Sequence, residues 1–383
     1  MLTHWYLDPE ATYLNHGTVG ATPRRVLAAQ RALTDEIERQ PAQFMLRELA
    51  NEVGDGPRLR IGEAAAAVAD FVGVDAADLA FVDNATAGAN AVLRSFPFRA
   101  NDEILVTDLG YGGVTNAARY TALRTGALLR TVTMPRPGAP AEAFVDTIDA
   151  ALTAATRLLL VDHITAETAL LLPVAEIARR CHERGVLVLV DGAHAPGAID
   201  LDVAALGVDW YVGNLHKWAM TPRSSGFLWA SPEQQHHLHP TVISWGYGRG
   251  MSAEFDLLGT RDPSHALVAP VAFDLLREWG LDAVRSYDHT LAWDGAQLLA
   301  DRWGTPFTTP EEMIGTMANV ALPAGAGSTT DDAVRLRTRL WDAERIEVPV
   351  FSHGGRLTLR LSAQVYNELA DVERLASAVT ARS

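Results

Sequence analysis

The sequence is almost without lysine. Lys217 is the single lysine in 383 residues, and arginine supplies all the other members of a set of 32 basic side chains. Lysine is ordinarily one of the commonest residues in soluble proteins. Either cation can serve on a solvated surface, but only lysine can become a neutral amine nucleophile, because arginine stays protonated. Lys217 is therefore the first candidate for chemistry, and the alternative is a leftover surface residue.

Three further absences narrow the class of protein. The single cysteine, Cys181, excludes a disulfide framework within the chain, so we expect a reducing, cytoplasmic location. No apolar run approaches about 20 residues, and the first residues lack a signal-peptide pattern, so we predict neither membrane insertion nor export. A formal net charge of −15 argues against binding to nucleic acid.

No metal centre is expected either. The histidines of "QQHHLHP", His236, His237 and His239, are close together but have no flanking cysteines or carboxylates. Clusters of this kind are more often polar loops than metal sites. We interpret the surrounding segment, residues 231–255, as one wall of a substrate pocket.

Short apolar runs alternate with helical patterns along the first two thirds of the chain. The runs lie at 79–82, 103–107, 128–132, 157–162, 186–191, 209–213 and 226–230. Runs such as "VLVLV" are apolar at every position, which is typical of parallel strands covered by helices on both faces. Residues 173–185 form a helical pattern with Cys181 on its inner side. These features predict an α/β fold. From about Pro263 the pattern changes to long helices and shorter strands, so we place a domain boundary there.

Polar residues follow several of these runs, where an open α/β sheet binds its ligands. Asp191 ends one apolar run, and Lys217 follows the next. A buried acid and a lone amine on neighbouring strands suit pyridoxal phosphate (PLP), which needs a lysine for its aldehyde and an acid for its ring nitrogen. Alone, Asp191 could equally cap a turn.

Two more turns complete this prediction. The turn Asn84, Ala85, Thr86 leads from a strand into a helix and could bind phosphate, although structural capping explains such a turn as well. Tyr111 follows another strand and could stack on the cofactor ring, although a tyrosine there is more often plain packing.

Taken together and in this order, the motifs resemble the class V aminotransferase family, and most nearly its isopenicillin N epimerase-like branch, which is related to cysteine desulfurases. The matching motifs span residues 14–368 and are "LNHGTVGATP", "NATAGANAVLRS", "YGGVTNA", "DHITAETALLLPV", "VDGAHAPG", "GNLHKW", "SSGFLW", "GTRDPS" and "LRLSAQVYNE". The resemblance implies fold-type I, with a mostly parallel seven-stranded sheet between helices in a large domain and a smaller C-terminal α+β domain. We therefore assign residues 1–20 to a segment at the active-site mouth, 21–262 to the large PLP-binding domain and 263–383 to the small domain.

The resemblance also implies a role for each site residue. Lys217 would carry the cofactor as a Schiff base, Asp191 would hold its ring nitrogen and His194 would lie near its phenolic oxygen. Tyr111 would stack on the ring. The remaining cofactor ligands would be Asn84, Ala85, Thr86, Asn214 and His216, with Thr260 reaching from the second subunit of a homodimer that shares its active sites. Arg360 would bind the substrate carboxylate in a two-pronged way, with Asn15 and His16 nearby.

Arg360 also has support from its strand pattern. Alternation in "RLTLRLS" would turn it inward together with Arg356 and Thr358.

The same resemblance implies an amino-acid substrate but leaves the reaction open. The chain lacks the loop cysteine that desulfurases carry, which argues against persulfide chemistry. The stretch "ITAETALL" also departs from the pattern of the branch. We favour an epimerase or a β-lyase acting on a C–S bond, with a class V aminotransferase, or a binding protein without catalysis, as alternatives. Epimerisation needs a second proton donor, for which Tyr111 and His163 are candidates.

Overall fold

A computed structural model describes residues 1–50, 59–256 and 258–380, and it has two β-rich parts joined by long helices. The strands are β1 (Thr12–Tyr13), β2 (Leu79–Val82), β3 (Glu103–Thr107), β4 (Leu128–Val132), β5 (Thr156–Asp162), β6 (Leu187–Gly192), β7 (Trp210–Asn214), β8 (Gly226–Ala230), β9 (Met317–Ala321), β10 (Ile346–Glu347), β11 (Val350–His353) and β12 (Arg356–Ser362).

The helices surround these strands. They are α1 (His16–Val19), α2 (Arg24–Arg39), α3 (Pro41–Gln43), α4 (Leu59–Val72), α5 (Ala85–Ser95), α6 (Gly112–Thr125), α7 (Ala141–Ala151), α8 (Val174–Glu183), α9 (Met251–Asp256), α10 (Ser264–Leu267), α11 (Ala269–Trp279), α12 (Leu281–Trp303), α13 (Thr330–Glu344) and α14 (Leu369–Thr380).

Seven strands form the main sheet in the order β2-β8-β7-β6-β5-β3-β4. β8 is antiparallel to both of its neighbours, and all other neighbouring pairs are parallel. All seven predicted apolar runs are strands of this sheet, each within one residue of its predicted bounds. The prediction of a mostly parallel α/β sheet is confirmed.

The central strands are apolar because each of their faces meets a separate layer of helices. Along β6, Val188 and Val190 belong to one hydrophobic core and Leu189 belongs to the other. The first core includes side chains of α4, α7, α8 and α11, and the second includes side chains of α5 and α6. This two-sided burial leaves the carboxyl ends of the strands as the edge where polar residues can meet a ligand.

α8 shows how closely the sequence pattern specified local structure. The helix follows Pro173, ends before Gly185 and buries Cys181 completely against the first core. Burial raises the pKa of the Cys181 thiol to about 12. Cys181 is therefore a small core side chain, and its thiolate form is disfavoured.

The C-terminal part has its own antiparallel sheet, in the order β11-β12-β9, packed against α12, α13 and α14. Leu14 joins this core, and β1 pairs with β10, so the N-terminal segment lies against the C-terminal part. The helices α10 and α11, which follow the predicted boundary, contribute side chains to the first core of the main sheet. The limits of the two domains stay a prediction. Within the described ranges, no helix is long and apolar enough to cross a membrane.

We predict that Gly192→Ala destabilises the fold. The end of β6 has no room for a side chain, because a Cβ there would lie 2.1 to 2.2 Å from ring atoms of the fully buried Tyr211. Since a buried aromatic ring cannot yield without disturbing its neighbours, the free energy of unfolding should fall by about 1–3 kcal/mol. Denaturant titration measures it. The control is Gly325→Ala, where a Cβ meets nothing within 4 Å. Equal stability of the two variants would contradict the prediction.

Candidate active site

A cavity of about 610 Å³ opens at the carboxyl ends of the central strands. Ten of the predicted site residues line it, and they come from the ends of strands, from the loops that follow them and from β12. They are Asn84, Ala85, Thr86, Tyr111, Asp191, His194, Asn214, His216, Lys217 and Arg360. The volume lies within the range of about 300–1,000 Å³ that is usual for small-molecule sites.

Lys217 lies in the loop after β7, with its amine inside this cavity. Its Nζ is 3.0 Å from Nε2 of His194, which is itself buried. Burial lowers the pKa of Lys217 to about 7, and the positive charge of Arg360 adds to this, whereas Asp191 and Asp162 oppose it. The amine is therefore neutral in a substantial fraction of molecules near pH 7, as a nucleophile or base requires.

Asp191 is one of two buried carboxyl groups at this edge of the sheet. Its Oδ1 accepts a hydrogen bond of 3.0 Å from the N–H of Ala193, and its Oδ2 is buried without a partner among the described residues. Asp162 on β5 is its direct neighbour in the sheet register. Burial raises the pKa of each acid, and for Asp162 the nearby Asp191 charge adds to this. An unpaired carboxylate oxygen beside a cavity favours a cationic or N–H ligand group.

The first turn of α5 presents backbone N–H groups to the cavity. The N–H of Ala85 donates to Oδ1 of Asn214 at 2.8 Å, and the N–H of Ala87 donates to Oδ1 of Asn84 at 2.9 Å. The N–H of Gly88 donates to the carbonyl of Asn84. The N–H of Thr86 has no acceptor among the described residues, and Thr86 lines the cavity. A free N–H at a helix N-terminus is suited to an anion.

His216 has a fixed ring orientation. Its Nδ1 lies 2.9 Å from the carbonyl of Ser225, so Nδ1 carries the proton that donates to this oxygen. Burial lowers the pKa of His216 to about 4. Its Nε2 could therefore donate to a phosphate only if the anion itself stabilised a second proton on the ring.

Arg360 extends from β12 into the same cavity and is buried, with 3% of its surface exposed. It shares one face of the strand with Arg356 and Thr358, and Leu357, Leu359 and Leu361 pack into the C-terminal core from the other face. Its Nε is buried and has no partner among the described residues. Burial lowers the pKa of Arg360 to about 10, which leaves the group charged at neutral pH.

Three predicted site residues do not line this cavity. The ring nitrogens of His16 contact the Tyr366 hydroxyl at 2.8 Å and the Lys217 carbonyl at 3.1 Å, so His16 lies behind the lysine. Asn15 contacts Arg360. Thr260 lines a second cavity of about 240 Å³, which shares only Asp83 with the first.

The two candidate proton donors and the histidine cluster differ in their surroundings. Tyr111 lines the cavity with 49% of its surface exposed, whereas His163 is buried and its Nδ1 lies 2.9 Å from the Tyr211 hydroxyl. His239 contacts Oε2 of Glu254 through its Nδ1 at 2.7 Å, and within the described ranges no group of His, Cys, Asp and Glu is arranged to hold a metal ion. The segment 231–255 contributes no residue to the first cavity.

Sequence reasoning missed several cavity residues. Asp162 ends the run "RLLLVD" as Asp191 ends "VLVLVD", so the repeated pattern of an acid closing a buried strand could have identified it. Five others carry no such signal, because they lie on the short helix α1, in loops or on a strand of the C-terminal part. They are Thr18, Glu167, Arg223, Ser224 and Phe351.

The chain is similar over nearly its whole length to one family of known proteins. The sequence model of the family described as aminotransferase class V matches residues 13–375. Isopenicillin N epimerase of Streptomyces clavuligerus is 35% identical over 394 residues, which cover 98% of this chain and 96% of that protein. The putative L-cysteine desulfhydrase 1 of Oryza sativa subsp. japonica is 34% identical over 402 residues, covering 96% of this chain and 82% of that protein.

Solved structures agree on the fold. A variant of C-DES with glycine covalently linked to its PLP cofactor has a TM-score of 0.79 at 21% identity, covering 97% of this chain and 96% of that one. The cysteine desulfurase CsdA from Escherichia coli has a TM-score of 0.77 at 20% identity, covering 98% and 96%. At these identities the likeness establishes the fold alone.

We predict that the amine of Lys217 titrates near pH 7 in the cofactor-free protein. Because it is the single lysine, trace acetylation followed by peptide mapping reports its reactivity separately from the N-terminal amine. The rate should rise with pH through a midpoint of about 7. Asp191→Asn should lower this midpoint and Arg360→Gln should raise it, because these side chains shift the pKa in opposite directions. A midpoint near the usual pKa of lysine, about 10.4, would refute a desolvated amine.

Proposed function

This chain belongs to the aminotransferase class-V family and is a PLP-dependent enzyme, and from that premise we propose that it deprotonates Cα of an amino acid, or of a small molecule containing one, as an epimerase or a β-lyase. The observation that carries this proposal is the partly neutral amine of Lys217, which shares one cavity with the unpaired donor of Arg360. The names of the similar proteins, an epimerase and a cysteine desulfhydrase, support these two outcomes.

The residues around the cavity fit this cofactor. Oδ2 of Asp191 and Nδ1 of His194 are buried without partners among the described residues, and Thr86 offers a free N–H at the start of α5. We assign the ring nitrogen to Asp191, the phosphate to the turn Asn84, Ala85, Thr86 with Asn214 and His216, and the ring face to Tyr111. When bound, PLP condenses with amines through its aldehyde and takes up electrons released from Cα through its ring.

The protein contributes proton transfer and charge. With its neutral Nζ, Lys217 would accept the proton from Cα of the substrate, and His194 at 3.0 Å holds this Nζ in place. An ionised Asp191 would favour the protonated form of the ring nitrogen if PLP is bound, and a protonated ring would stabilise negative charge on Cα. Arg360 binds the substrate carboxylate and thereby fixes the direction of the Cα–H bond.

The cavity residues favour some outcomes over others. The single cysteine, Cys181, is buried in α8 and does not line the cavity, which argues against persulfide transfer through a cysteine of this chain. Tyr111 lines the cavity and is half exposed, so we assign it as the second proton donor for epimerisation in preference to His163, which is buried against Tyr211. A class V aminotransferase is the second candidate, and a binding protein without catalysis is the third.

Exchange of the α-proton with solvent tests this proposal. The purified enzyme with PLP is incubated in deuterium oxide with L- and D-amino acids, including cysteine, and the Cα–H signal is followed by NMR. We expect exchange with one group of amino acids, accompanied by the opposite enantiomer for an epimerase or by ammonia and a 2-oxo acid for a β-lyase. Lys217→Ala should lower the rate by about 10²–10⁴-fold, because the base is lost.

Borohydride reduction supplies the control. Reduction should attach the cofactor covalently to the peptide that contains Lys217, and Lys217→Arg should prevent the attachment. Attachment without exchange for any amino acid would indicate a binding protein. Exchange with stoichiometric conversion of an added 2-oxo acid to an amino acid would indicate an aminotransferase.

We further propose that the enzyme is a cytoplasmic homodimer in which Thr260 of each protomer approaches the other's cofactor phosphate. Four apolar side chains on segment 242–247 are largely exposed: Val242, Ile243, Trp245 and Tyr247. Glu254 holds this segment, since it contacts His239 and accepts from the N–H of Gly248. An exposed apolar patch of this kind is typical of a protein interface, and Trp245 lies on the same cavity as Thr260.

We predict that Trp245→Asp weakens this dimer. Its ring is 86% exposed in the single chain, so an interface would bury a large apolar surface that aspartate cannot replace. Sedimentation velocity should show the dissociation constant rising about 30-fold or more, as expected for a residue that dominates an interface. Val334→Asp, on the exposed side of α13, is the matched control. A monomeric wild type at micromolar concentration would refute the dimer.

A further inference from the structure

The guanidinium of Arg360 is oriented by neutral acceptors. Its Nη1 donates to the carbonyl of Ala166, and its Nη2 donates to Oγ1 of Thr18 at 2.8 Å and to Oδ1 of Asn15 at 3.3 Å. Among the described residues no carboxylate forms an ion pair with it, and Glu167 acts on it only through its charge. A buried guanidinium without a paired anion is costly, and an incoming carboxylate relieves that cost.

The hydrogen bonds around Arg360 run in one direction, from cation to anion. Arg360 donates to the Thr18 hydroxyl, the Thr18 hydroxyl donates to Oδ1 of Asn15, and Nδ2 of Asn15 donates to Oε1 of Glu347 at 2.8 Å. Because Glu347 can only accept, it fixes the amide of Asn15 with the oxygen toward Arg360. Glu347 thus orients the chain of donors without contacting the guanidinium in these bonds.

Gly17 makes this close approach possible. A Cβ at this position would lie 2.5 Å from Sδ of Met317, 3.0 Å from Oγ of Ser362 and 3.4 Å from Nη2 of Arg360. The backbone of α1 can therefore pack directly against β9, β12 and the guanidinium. A larger residue would require the side chain of Met317 or the backbone of α1 to shift.

We propose that Thr18 and Asn15 are positioning residues, which hold Arg360 with neutral oxygens so that its full charge and its Nε remain available to the α-carboxylate of the substrate. Asn15 thereby takes a different role from direct substrate contact. A protein carboxylate in the same place would neutralise the guanidinium and compete with the substrate. This proposal rests on the proposed function of Arg360.

Substitutions of Thr18 that differ in a single group test the positioning role. Thr18→Val keeps the shape but loses the hydroxyl, so KM for the preferred amino acid and the inhibition constant of propionate should rise about 10-fold, while kcat changes little. Thr18→Ser keeps the hydroxyl and should restore both values. Thr358→Val, which removes a hydroxyl from the same face of β12 outside the cavity, should leave them unchanged.

Asn15→Asp gives the most specific result. The new carboxylate is isosteric with the amide and would pair with Arg360, so KM should rise further than in Thr18→Val. One of its oxygens would replace Nδ2 at 2.8 Å from Oε1 of Glu347, so the substitution is combined with Glu347→Gln, whose amide can donate to the new carboxylate, and thermal stability should then be kept. If Asn15 only stabilised the fold, KM would rise only in variants whose thermal stability falls. That result would overturn the proposal.

Arg360→Lys distinguishes the role of Arg360 in binding carboxylate from the positioning role of Thr18 and Asn15. An unchanged KM in this variant would refute the proposed role of Arg360 in binding carboxylate. A raised KM in Arg360→Lys, with normal values in Thr18→Val and Asn15→Asp, would refute positioning alone and leave the function intact.

Discussion

The chemistry of this protein depends on the removal of one amine from water. Lys217 lies beyond the carboxyl end of β7, in a cavity whose walls are formed by strand ends, and burial there lowers its pKa to about 7. The two acids on β5 and β6 pull this pKa upward, and Arg360 pulls it downward. The reactivity of the amine is therefore set by a balance of burial and three charges, each attached to a different strand of the fold.

The two sheets contribute different groups to the cavity. The main sheet carries the lysine, the acids and the N-terminus of α5, all of which face the same edge because its central strands are parallel. The C-terminal sheet contributes Arg360 to the same cavity. A substrate that contacts both groups is held by side chains from two sheets, so its orientation depends on how these sheets are packed together.

The sequence predicted a site residue best where the chemistry requires one particular residue type at one position. The lone lysine, the acid that closes a buried strand and the alternation in "RLTLRLS" identified Lys217, Asp191 and the inward-facing Arg360, and the structure gathers all three. The seven apolar runs located the main sheet to within one residue because two-sided burial leaves an unmistakable pattern.

Residues whose surroundings come from tertiary packing were not accessible in this way. Thr18 and Phe351 meet the cavity only because distant segments pack together. His16 follows the asparagine of "LNHG", but the surroundings of its ring are set by Tyr366 and by the backbone of Lys217, and a local sequence pattern reveals neither contact. Asp162 was the exception, since its strand repeated a pattern already interpreted for Asp191.

The contact between Thr18 and Arg360 joins positions 342 residues apart in a chain of 383. During synthesis on the ribosome, β12 is made after every strand of the main sheet. The pocket for the carboxylate is thus completed only when translation is nearly finished. A chain truncated before β12 would lack Arg360, and with it the group that we assign to the substrate carboxylate.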